Sequence, residues 1–526
     1  MTSSRTSRRR SSRKNNGVTY GKPTKALYLE ARKDVLERQK YLEEHPHKSR
    51  FGPETNTKYH YLYGKKYNLQ KFYDKHPGGR DILEMTAGMV DSTPTFESYH
   101  AFANMPSIMK QLEKYEVTEE EDDGLPCPQS IYAFEEDGFY KTLKRRVRAK
   151  FGGKENQKDS LTKATKANSA WAVKVLAQFS LWLLFFSLAF LRRSLPTPVA
   201  MICAALAGMF MIQWGFTAMH DASHFAVAPK NHWLNAAITK VWCSISLWNA
   251  KVWMYHHAVV HHSYTGSTLD ADVFHAAPYV RKSADYPAKA KGDLIQKIGD
   301  RFGNVGWAVS LIIFYAFVPG MWLGQAQLYL FYRLGLNKFS RLWGMRKLKT
   351  VGGYKTQWWE EVLYVLTIAV MLSRLNLFVL YAYVVSLNIF YSMCIVADHD
   401  LLESAITNHV DVDIYGTEPE GEPGTESEAK TKTDWGEVQV RNSTDFVNDK
   451  HHVFASLHGG INYQVEHHLF PGMSHIHLAS IAPIVQETCK EFGIPYTTYP
   501  SLFDAWYSFL LVVKAVMTKK DNIKID

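Results

Sequence analysis

The sequence predicts an α-helical integral membrane protein with a soluble N-terminal portion. Three observations support this fold class. Residues 1–168 of the 526-residue chain are polar and charged, whereas residues 169–397 contain long apolar runs. Two of these runs, 169–191 and 197–219, each have the length of a spanning helix. Lysine and arginine collect in the segments beside the runs, as is typical of loops that face the cytosol.

About four transmembrane helices are predicted, at 169–191, 197–219, 358–373 and 376–397. Ten lysines and arginines in residues 141–168 precede the first run, against Arg192 and Arg193 after it, so the N-terminal half is expected in the cytosol. The helices then form two hairpins that return the chain to the cytosol. The runs 234–250 and 305–332 are predicted as re-entrant or interfacial segments, because basic residues flank the latter on both sides. Six or seven true spans is the alternative.

The basic N-terminal segment and the positive net charge do not indicate a nucleic-acid-binding protein. Residues 1–50 begin with "MTSSRTSRRRSSRK" and are expected to be a basic disordered tail and linker, since no apolar run of a signal peptide follows. A nuclear address is the alternative reading. The net charge of +10 lies mainly in tails and loops and indicates a surface facing a membrane. Five scattered cysteines exclude a disulfide framework and thiolate zinc sites, and 415–432 reads as a solvated acidic loop.

Histidines are concentrated in the second half of the chain, with 17 of 22 after residue 219. They form three groups: "HDASH" at 220–224, "HHAVVHH" at 256–262 and "QVEHH" at 464–468. A spacing of four residues places two side chains on one face of a helix. A single histidine near a membrane is usually a hydrogen-bonded interface residue. Three groups with recurring spacing indicate a metal-binding cap of helices on the cytosolic side.

The ligand types restrict the metal. No ExxH motif occurs after residue 168, so the carboxylate-bridged iron pair of soluble bundles is not expected. Eight or nine imidazoles are too many for one zinc ion, and their number suggests two ions. Iron is the metal that brings oxygen chemistry, while a zinc hydrolase stays possible on the ligands alone.

A second kind of histidine pair lies in the soluble portion. His76 stands in the motif HPGG, and His100 follows 24 residues later. The glycine pair permits a tight turn beside a flat ligand. Two histidines on separate loops can bind one haem axially, an arrangement suited to electron transfer. Taken alone, HPGG could also be only a turn.

Residues 58–117 resemble a cytochrome b5 domain through HPGG, the spacing to His100 and the preceding Phe96. Residues 170–500 resemble the membrane fatty acid desaturases, in particular their front-end branch. The motifs that carry this resemblance are HxxxH at 220–224, HxxxHH at 257–262 and QxxHH at 464–468 within "NYQVEHHLFP". Together the two resemblances cover about four-fifths of the chain.

The resemblance implies five regions. They are a tail and linker at 1–50, an α+β cytochrome b5-like haem domain at 51–125, a cytosolic linker at 126–168, a membrane desaturase domain at 169–500 and a C-terminal tail at 501–526.

The resemblance also implies the ligands of a di-iron centre and of a haem. The haem ligands are His76 and His100. The iron ligands are His220, His224, His257, His261, His262, His399, Gln464, His467 and His468, and all of these except His399 are also expected to be catalytic. His256 is extra to the family pattern and competes with His257 for its place. Gln464 binds the metal directly or holds a water on it, with a buried packing amide as the alternative. Asp270 and Asp272 orient ligand imidazoles or merely solvate a loop.

The reaction implied is the introduction of a cis double bond between the carboxyl end and an existing double bond of a polyunsaturated fatty acyl chain. It uses O2, two iron ions, haem b and electrons that a cytochrome b5 reductase takes from NADH. The acyl chain is carried on coenzyme A or on a phospholipid. We expect an endoplasmic reticulum membrane location, with several spans, both termini and the metal site on the cytosolic side, and no nucleic-acid partner. A sphingoid long-chain-base desaturase or a di-iron lipid hydroxylase is the alternative, and a haem-binding membrane redox partner is the alternative from a different class.

Overall fold

The computed structural model describes residues 14–15, 18–44, 55–152, 163–229, 232–267, 269–270, 272, 280–282, 294–317, 356–407, 432–447 and 459–518. Within these ranges, the chain forms a small α+β unit, a group of long apolar helices, and short helices that carry the histidine motifs at one end of that group.

The α+β unit, which we call the haem unit (residues 55–125), begins with a β-hairpin. His60–Leu62 pairs antiparallel with Lys65–Tyr67, and the turn residues Tyr63 and Gly64 have φ values of 52° and 73°. Positive φ at both central positions is the turn geometry that matches the twist of paired strands. The helical segments that follow are Gln70–Lys75 (3-10), Arg80–Thr86, Thr93–Tyr99, Met105–Leu112 and Glu113–Tyr115 (3-10). They close over a small core of Leu62, Tyr67, Leu69, Tyr73 and Leu112. An α+β fold is therefore observed here, as predicted.

A helix from the predicted linker joins the haem unit to the histidine-bearing helices. This helix, Phe139–Lys150, donates from Lys144 Nζ to Glu97 Oε2 of the haem unit at 2.6 Å. Its fully buried Tyr140 donates to the carbonyl of Leu469 at 3.0 Å. The linker helix thus contacts both the haem unit and the histidine-bearing helices.

Four apolar helices occupy the predicted spans: Ser169–Phe190, Thr197–Trp214, Trp358–Ser373 and Leu377–Ile395. By length and composition, Ser169–Phe190 and the continuous helical stretch Thr197–Ser223 can cross a membrane, and the apolar segment Leu377–Ser392 is shorter. The predicted count of four spans stays a prediction. Val173 and Leu176 are 68% and 65% exposed, as expected for side chains that face lipid.

Close packing and a shared turn region hold these helices together. A Cβ on Gly208 would lie 2.6 Å from the carbonyl oxygen of Tyr383, so only glycine permits this approach. Arg374 donates to the carbonyl of Arg192 at 2.9 Å and to that of Leu195. The turns of the two predicted hairpins therefore lie side by side, and both hairpins return toward the histidine motifs.

The structure describes all of the first predicted re-entrant segment but only part of the second. The run 234–250 contains the helix His232–Ile245, whose 14 residues fall short of the roughly 20 needed to span a bilayer. Residues 305–317 complete the helix Leu294–Phe317, and 318–332 lie outside the described residues. The predicted hairpin at 305–332 therefore stays a prediction, and residues 415–431 of the acidic loop also lie outside the described part.

The first two histidine motifs lie on π-helical backbone. The helix Thr197–Trp214 continues as the π-helix Gly215–His220 and the turn Asp221–Ser223. The second motif consists of Ala250–Trp253, the π-helix Met254–His261 and His262–Tyr264. In the second motif, i→i+5 hydrogen bonding widens the turn, whereas in the first motif the amide of His224 donates to the carbonyl of His220 at 3.2 Å, which is ordinary α-helical spacing. Such widened turns are frequent at functional sites.

The remaining helices pack around the motifs and around a small sheet. The helices are Leu402–Thr407, Trp435–Asn442, Gln464–Leu469, His475–His477 (3-10), Leu478–Glu491 and Leu502–Met517. The sheet has four strands in the spatial order Lys14–Asn15, Val18–Tyr20, Tyr496–Tyr499, Asp445–Phe446. Tyr496–Tyr499 is parallel to both of its neighbours.

The expectation of disorder is wrong for the strand Val18–Tyr20 and the helix Lys25–Glu44, and the segment predicted as a C-terminal tail is folded over residues 502–517. Residues 18–20 form a strand and Lys25–Glu44 a helix, although 1–50 was expected to be a disordered tail and linker. Ala31 and Val35, one turn apart, are buried, and Arg32 donates to the carbonyls of Ala515 and Thr518. Residues 502–517, expected as part of a C-terminal tail, form the buried helix that receives them. The helix Lys25–Glu44 has few apolar positions, whereas Leu502–Met517 is mostly apolar and offers the surface against which Ala31 and Val35 pack.

Candidate metal and haem sites

The two predicted haem ligands face each other in the haem unit. The ring centroids of His76 and His100 are 6.2 Å apart. An ion bonded to two imidazoles at about 2 Å each separates their ring centroids by about 6 Å, so the spacing fits one iron between them. His76 Nδ1 lies 3.3 Å from the carbonyl oxygen of Gly79, and His100 Nδ1 lies 2.7 Å from that of Phe96. Both contacts direct Nε2 toward the gap.

Burial prepares this pair for ligation. It lowers the pKa of His76 to about 4, with a further contribution from His100, and it also lowers the pKa of His100. Neutral imidazoles are the form that binds a metal. A Cβ on Gly78 would lie 2.9 Å from the His76 ring, which explains why the turn after His76 needs a glycine.

Four histidines from all three motifs form a first cluster, consisting of His220, His224, His257 and His467. One ligand nitrogen from each lies within 4.8 Å of the others. His220 Nε2 and His257 Nε2 are 2.9 Å apart. Nitrogens that share one ion lie about 3–4 Å apart when each metal–nitrogen bond is about 2 Å, so the cluster fits a metal ion after small adjustments.

A second cluster lies next to it and consists of His261, His399 and His468, again within 4.8 Å of one another. His261 Nε2 is 3.2 Å from His399 Nε2, and Gln464 Nε2 is 2.9 Å from the same atom. His257 and His261 of one motif lie in different clusters, and together with Asp272 they form a third group whose ligand atoms lie within 4.8 Å of one another. Gln464 lies beside the second cluster, on the side predicted from its spacing to His468.

His262 lies between the two clusters. Its ring centroid is 4.5 Å from that of His224 and 4.1 Å from that of His468. Within the described part of the chain, neither of its buried nitrogens has a hydrogen-bond partner, and the same holds for Nε2 of His224, His467 and His468. Buried polar atoms without partners are costly. Nitrogens gathered in this way fit cations that would satisfy them.

Further side chains anchor the opposite nitrogen of several of these rings. Asp270 lies 3.0 Å from Nδ1 of His261, and Gln439 Oε1 lies 3.0 Å from Nδ1 of His468. His399 Nδ1 lies 2.9 Å from the carbonyl oxygen of Asn442. An anchored Nδ1 fixes the ring and leaves Nε2 for a metal, which is typical of histidines that bind metals.

Comparison with known proteins assigns the family. Residues 196–500 match the family described as fatty acid desaturase, and residues 40–119 match the cytochrome b5-like heme/steroid binding domain. The first match alone covers more than half of the chain. This chain belongs to the fatty acid desaturase family.

Curated relatives of the desaturase align with it over most of their length. An acyl-lipid (8-3)-desaturase of Mortierella alpina is 28% identical over 85% of this chain and 91% of its own length. An acyl-lipid (8-3)-desaturase of Physcomitrium patens is 26% identical over 86% and 87%, and Delta(5) fatty acid desaturase A of Dictyostelium discoideum is 25% identical over 88% and 91%. The predicted family is confirmed: the protein is a front-end fatty acid desaturase, an oxidoreductase with a cytochrome b5-like domain near its N-terminus.

The charge state of the desaturase histidines suits metal binding. Burial, followed by neighbouring imidazoles, lowers the pKa of His262, His467 and His468 well below the ordinary value. His261 is the exception. Burial lowers its pKa, but Asp270 and Asp272 outweigh that effect and raise the pKa to about 9.

The structure also separates His256 from His257. His257 joins the first cluster, whereas His256 Nε2 makes a short contact with Asp272. The two aspartates predicted to orient imidazoles therefore do contact histidines, Asp270 in the second cluster and Asp272 mainly at the extra one.

Sequence reasoning missed several contacts in the desaturase. Tyr99 Oη lies 2.7 Å from His224 Nδ1, and Asp221 holds His475 Nδ1 at 2.9 Å. Gln439 was missed as well. None of these residues stands in a motif with its partner, so spacing along the chain gave no signal for them.

A pocket opens beside the two clusters. Its polar side contains His220, His257, His399 and Gln464. Apolar walls come from Phe216, Trp253, Tyr391, Ile395 and Ile461. The polar lining also includes His256, His261, Asp272 and Asp398, so polar side chains outnumber apolar ones around this pocket.

Proposed function

We propose that the two clusters hold two iron ions and that this desaturase introduces the cis double bond at the Δ5 position of acyl chains carried on a membrane lipid. The observation that carries the metal proposal is the convergence of buried imidazole nitrogens without partners on the gap between three histidine motifs. The names of the relatives, acyl-lipid (8-3)-desaturase and Delta(5) fatty acid desaturase, support the substrate and the position.

In this proposal, the ligands of the first iron are His220, His224, His257 and His467, and those of the second are His261, His399 and His468. His262 lies between them, and Gln464 completes the second set. When bound, the irons would supply the oxidising power for the reaction. Overall, O2 is reduced to two waters by two hydrogens from the acyl chain together with two electrons and two protons from outside. The residues of this chain hold the rings, keep them neutral and exclude water.

Methylene groups of the acyl chain are proposed to approach the clusters along Phe216, Trp253, Tyr391, Ile395 and Ile461. These side chains offer an apolar surface for methylene groups, while the histidines border one side. A chain of fixed register would place one pair of methylenes against the clusters. The position of the new double bond would then depend on the distance between the bound carboxyl end of the acyl chain and the clusters.

Electrons are proposed to arrive through haem b held by His76 and His100. A cytochrome b5 reductase that uses NADH refills this haem. Fusion of donor and acceptor in one chain raises their effective concentration. We place the protein in the endoplasmic reticulum membrane, with four spans and with both termini and the metal site in the cytosol.

Product analysis tests the reaction. The protein is expressed in yeast fed acyl chains whose first double bond lies at carbon 8 or at carbon 9. We expect a new bond at carbon 5 in the first chain, appearing in phospholipid before it appears in the coenzyme A pool. Products with a bond at carbon 6 alone, or products seen first on coenzyme A, would contradict the position or the carrier.

Haem ligation is tested separately in the full chain. His76→Ala and His100→Ala should each remove the haem Soret band and most of the product while the iron content persists. His477→Ala, at a histidine outside both clusters, is the control. Full activity of both haem variants in a host without free cytochrome b5 would refute the fused-donor proposal.

A further inference from the structure

The haem unit contacts a proposed metal ligand directly. Tyr99 Oη lies 2.7 Å from His224 Nδ1 and donates to the carbonyl of Ala258 at 3.0 Å. The rings of Tyr99 and His224 are nearly parallel, at 13°, with centroids 6.1 Å apart. Tyr99 ends the helix Thr93–Tyr99, and the next residue is His100. One residue therefore connects a haem ligand with a ligand of the first cluster.

The hydrogen-bond directions determine the tautomer of His224. A tyrosine hydroxyl has one proton, and the carbonyl of Ala258 can only accept it. The oxygen of Tyr99 must then accept a proton from Nδ1 of His224. A neutral imidazole with its proton on Nδ1 carries its lone pair on Nε2. That Nε2 is the buried atom without a partner among the described residues.

We propose that Tyr99 is a positioning residue through which the docked haem unit sets the tautomer and ring orientation of His224. The proposal rests on the metal centre described under the proposed function. The anchors Asp270, Gln439 and Asn442 all come from the desaturase domain, whereas Tyr99 comes from the domain that carries the haem. The metal centre is therefore complete only when a docked unit supplies the hydroxyl of Tyr99 to His224.

Other contacts hold the haem unit in place independently of this bond. Thr95 Oγ1 lies 2.6 Å from Ser263 Oγ, and Tyr264 Oη donates to the carbonyl of Asp91 at 2.6 Å. Glu97 pairs with Lys144 of the linker helix at 2.6 Å. Loss of the Tyr99 hydroxyl should leave the docked arrangement intact, because these three contacts remain.

The test measures metal affinity instead of turnover. Full-length protein in detergent is stripped with a chelator and titrated with Co²⁺ against a competing chelator, and the cobalt absorption bands are recorded. We expect Tyr99→Phe to weaken Co²⁺ binding by about tenfold or more and to shift these bands, as loss of a ligand's outer hydrogen bond does. Thr95→Val removes a hydroxyl contact from the same helix without touching a ligand and should behave as wild type. Both variants should keep the haem Soret band.

Three results would overturn the proposal. They are wild-type Co²⁺ affinity in Tyr99→Phe, equal weakening in both variants, and loss of haem together with cobalt in Tyr99→Phe. A different result would identify failure of the metal centre itself. If wild type binds no Co²⁺, or if His257→Ala binds as many Co²⁺ ions as wild type with the same affinity, the two-metal proposal falls and this inference falls with it.

Discussion

His220 and His257 face each other across the first cluster with their Nε2 atoms 2.9 Å apart, although 37 residues separate them in the chain. The ring of His257 also stacks on Trp253, with centroids 4.6 Å apart. Its neighbour His256 contacts Asp272 instead. The backbone thus selects one of two adjacent histidines for the centre.

This selection predicts opposite outcomes for adjacent substitutions. His257→Ala should abolish desaturation and lower the iron content, because it removes a nitrogen from the first cluster. His256→Ala should keep iron and most of the activity, and cost only some stability. Iron analysis of the purified proteins and gas chromatography of their fatty acid products check both. The reverse pattern would make His256 the ligand.

Gln464 provides a second prediction. An amide oxygen is a weaker ligand than an imidazole nitrogen, and Oε1 of Gln464 is buried without a partner among the described residues. Gln464→His should retain some activity, whereas Gln464→Ala loses a ligand and Gln464→Glu adds a charge beside the iron. Iron and product are measured together. Retention of both in the Ala variant, with loss of both in the His variant, would show that Gln464 only packs.

Acid should destabilise the haem unit through His60. Burial lowers its pKa to about 4, and Nε2 of His60 contacts the carbonyl oxygen of Leu83 at 2.8 Å. Below pH 6.5 an unfolded chain binds a proton that the folded unit does not bind until pH 4. The contribution of His60 to the free energy of unfolding is therefore full above pH 6.5 and should fall by about 2 kcal/mol between pH 7 and pH 5.

His60→Gln keeps an amide donor for Leu83 but cannot titrate in this range. Urea unfolding of the full-length protein, followed by the Soret band, should show a smaller loss of stability between pH 7 and pH 5 in this variant. His477→Gln, in the desaturase domain, is the control. An equal pH dependence in wild type and His60→Gln would exclude His60 as the acid-sensitive group.

Sidedness is tested with tags in sealed microsomes. All ligands of one centre must lie on one face, so tags at residues 10, 285, 345 and 425 should be open to protease from the cytosolic side. A tag at residue 195 should be protected, because it lies in the turn between the first two predicted spans, at the end opposite the histidine motifs. Protection at 345 would mean that 305–332 crosses the membrane.

The sequence was most informative for the histidine groups, because metal binding accounts for many of their residues at once. Clustered imidazoles near lipid have few other roles, so the three histidine groups could be selected from spacing, and the proposed ligands, including His399, from the family pattern. Their supports could not. Tyr99 lies 125 residues from His224 and Gln439 lies 29 residues from His468, and only tertiary packing joins them. The π-helical turns were missed for a similar reason, because a spacing of four looks the same in either kind of helix.

The strand Val18–Tyr20 and the helix Lys25–Glu44 have a consequence for engineering. Both pack on the desaturase body, and so does the helix Phe139–Lys150 on the other side of the haem unit. The segments before and after the haem unit are both fixed to the desaturase domain, which limits how far the haem unit can move. A chimera with a foreign electron carrier should be grafted between residues 44 and 139, and the carrier must supply a hydroxyl to His224 in place of Tyr99. Truncation at residue 50 would strip the partner from one edge of Tyr496–Tyr499 and expose the C-terminal helix.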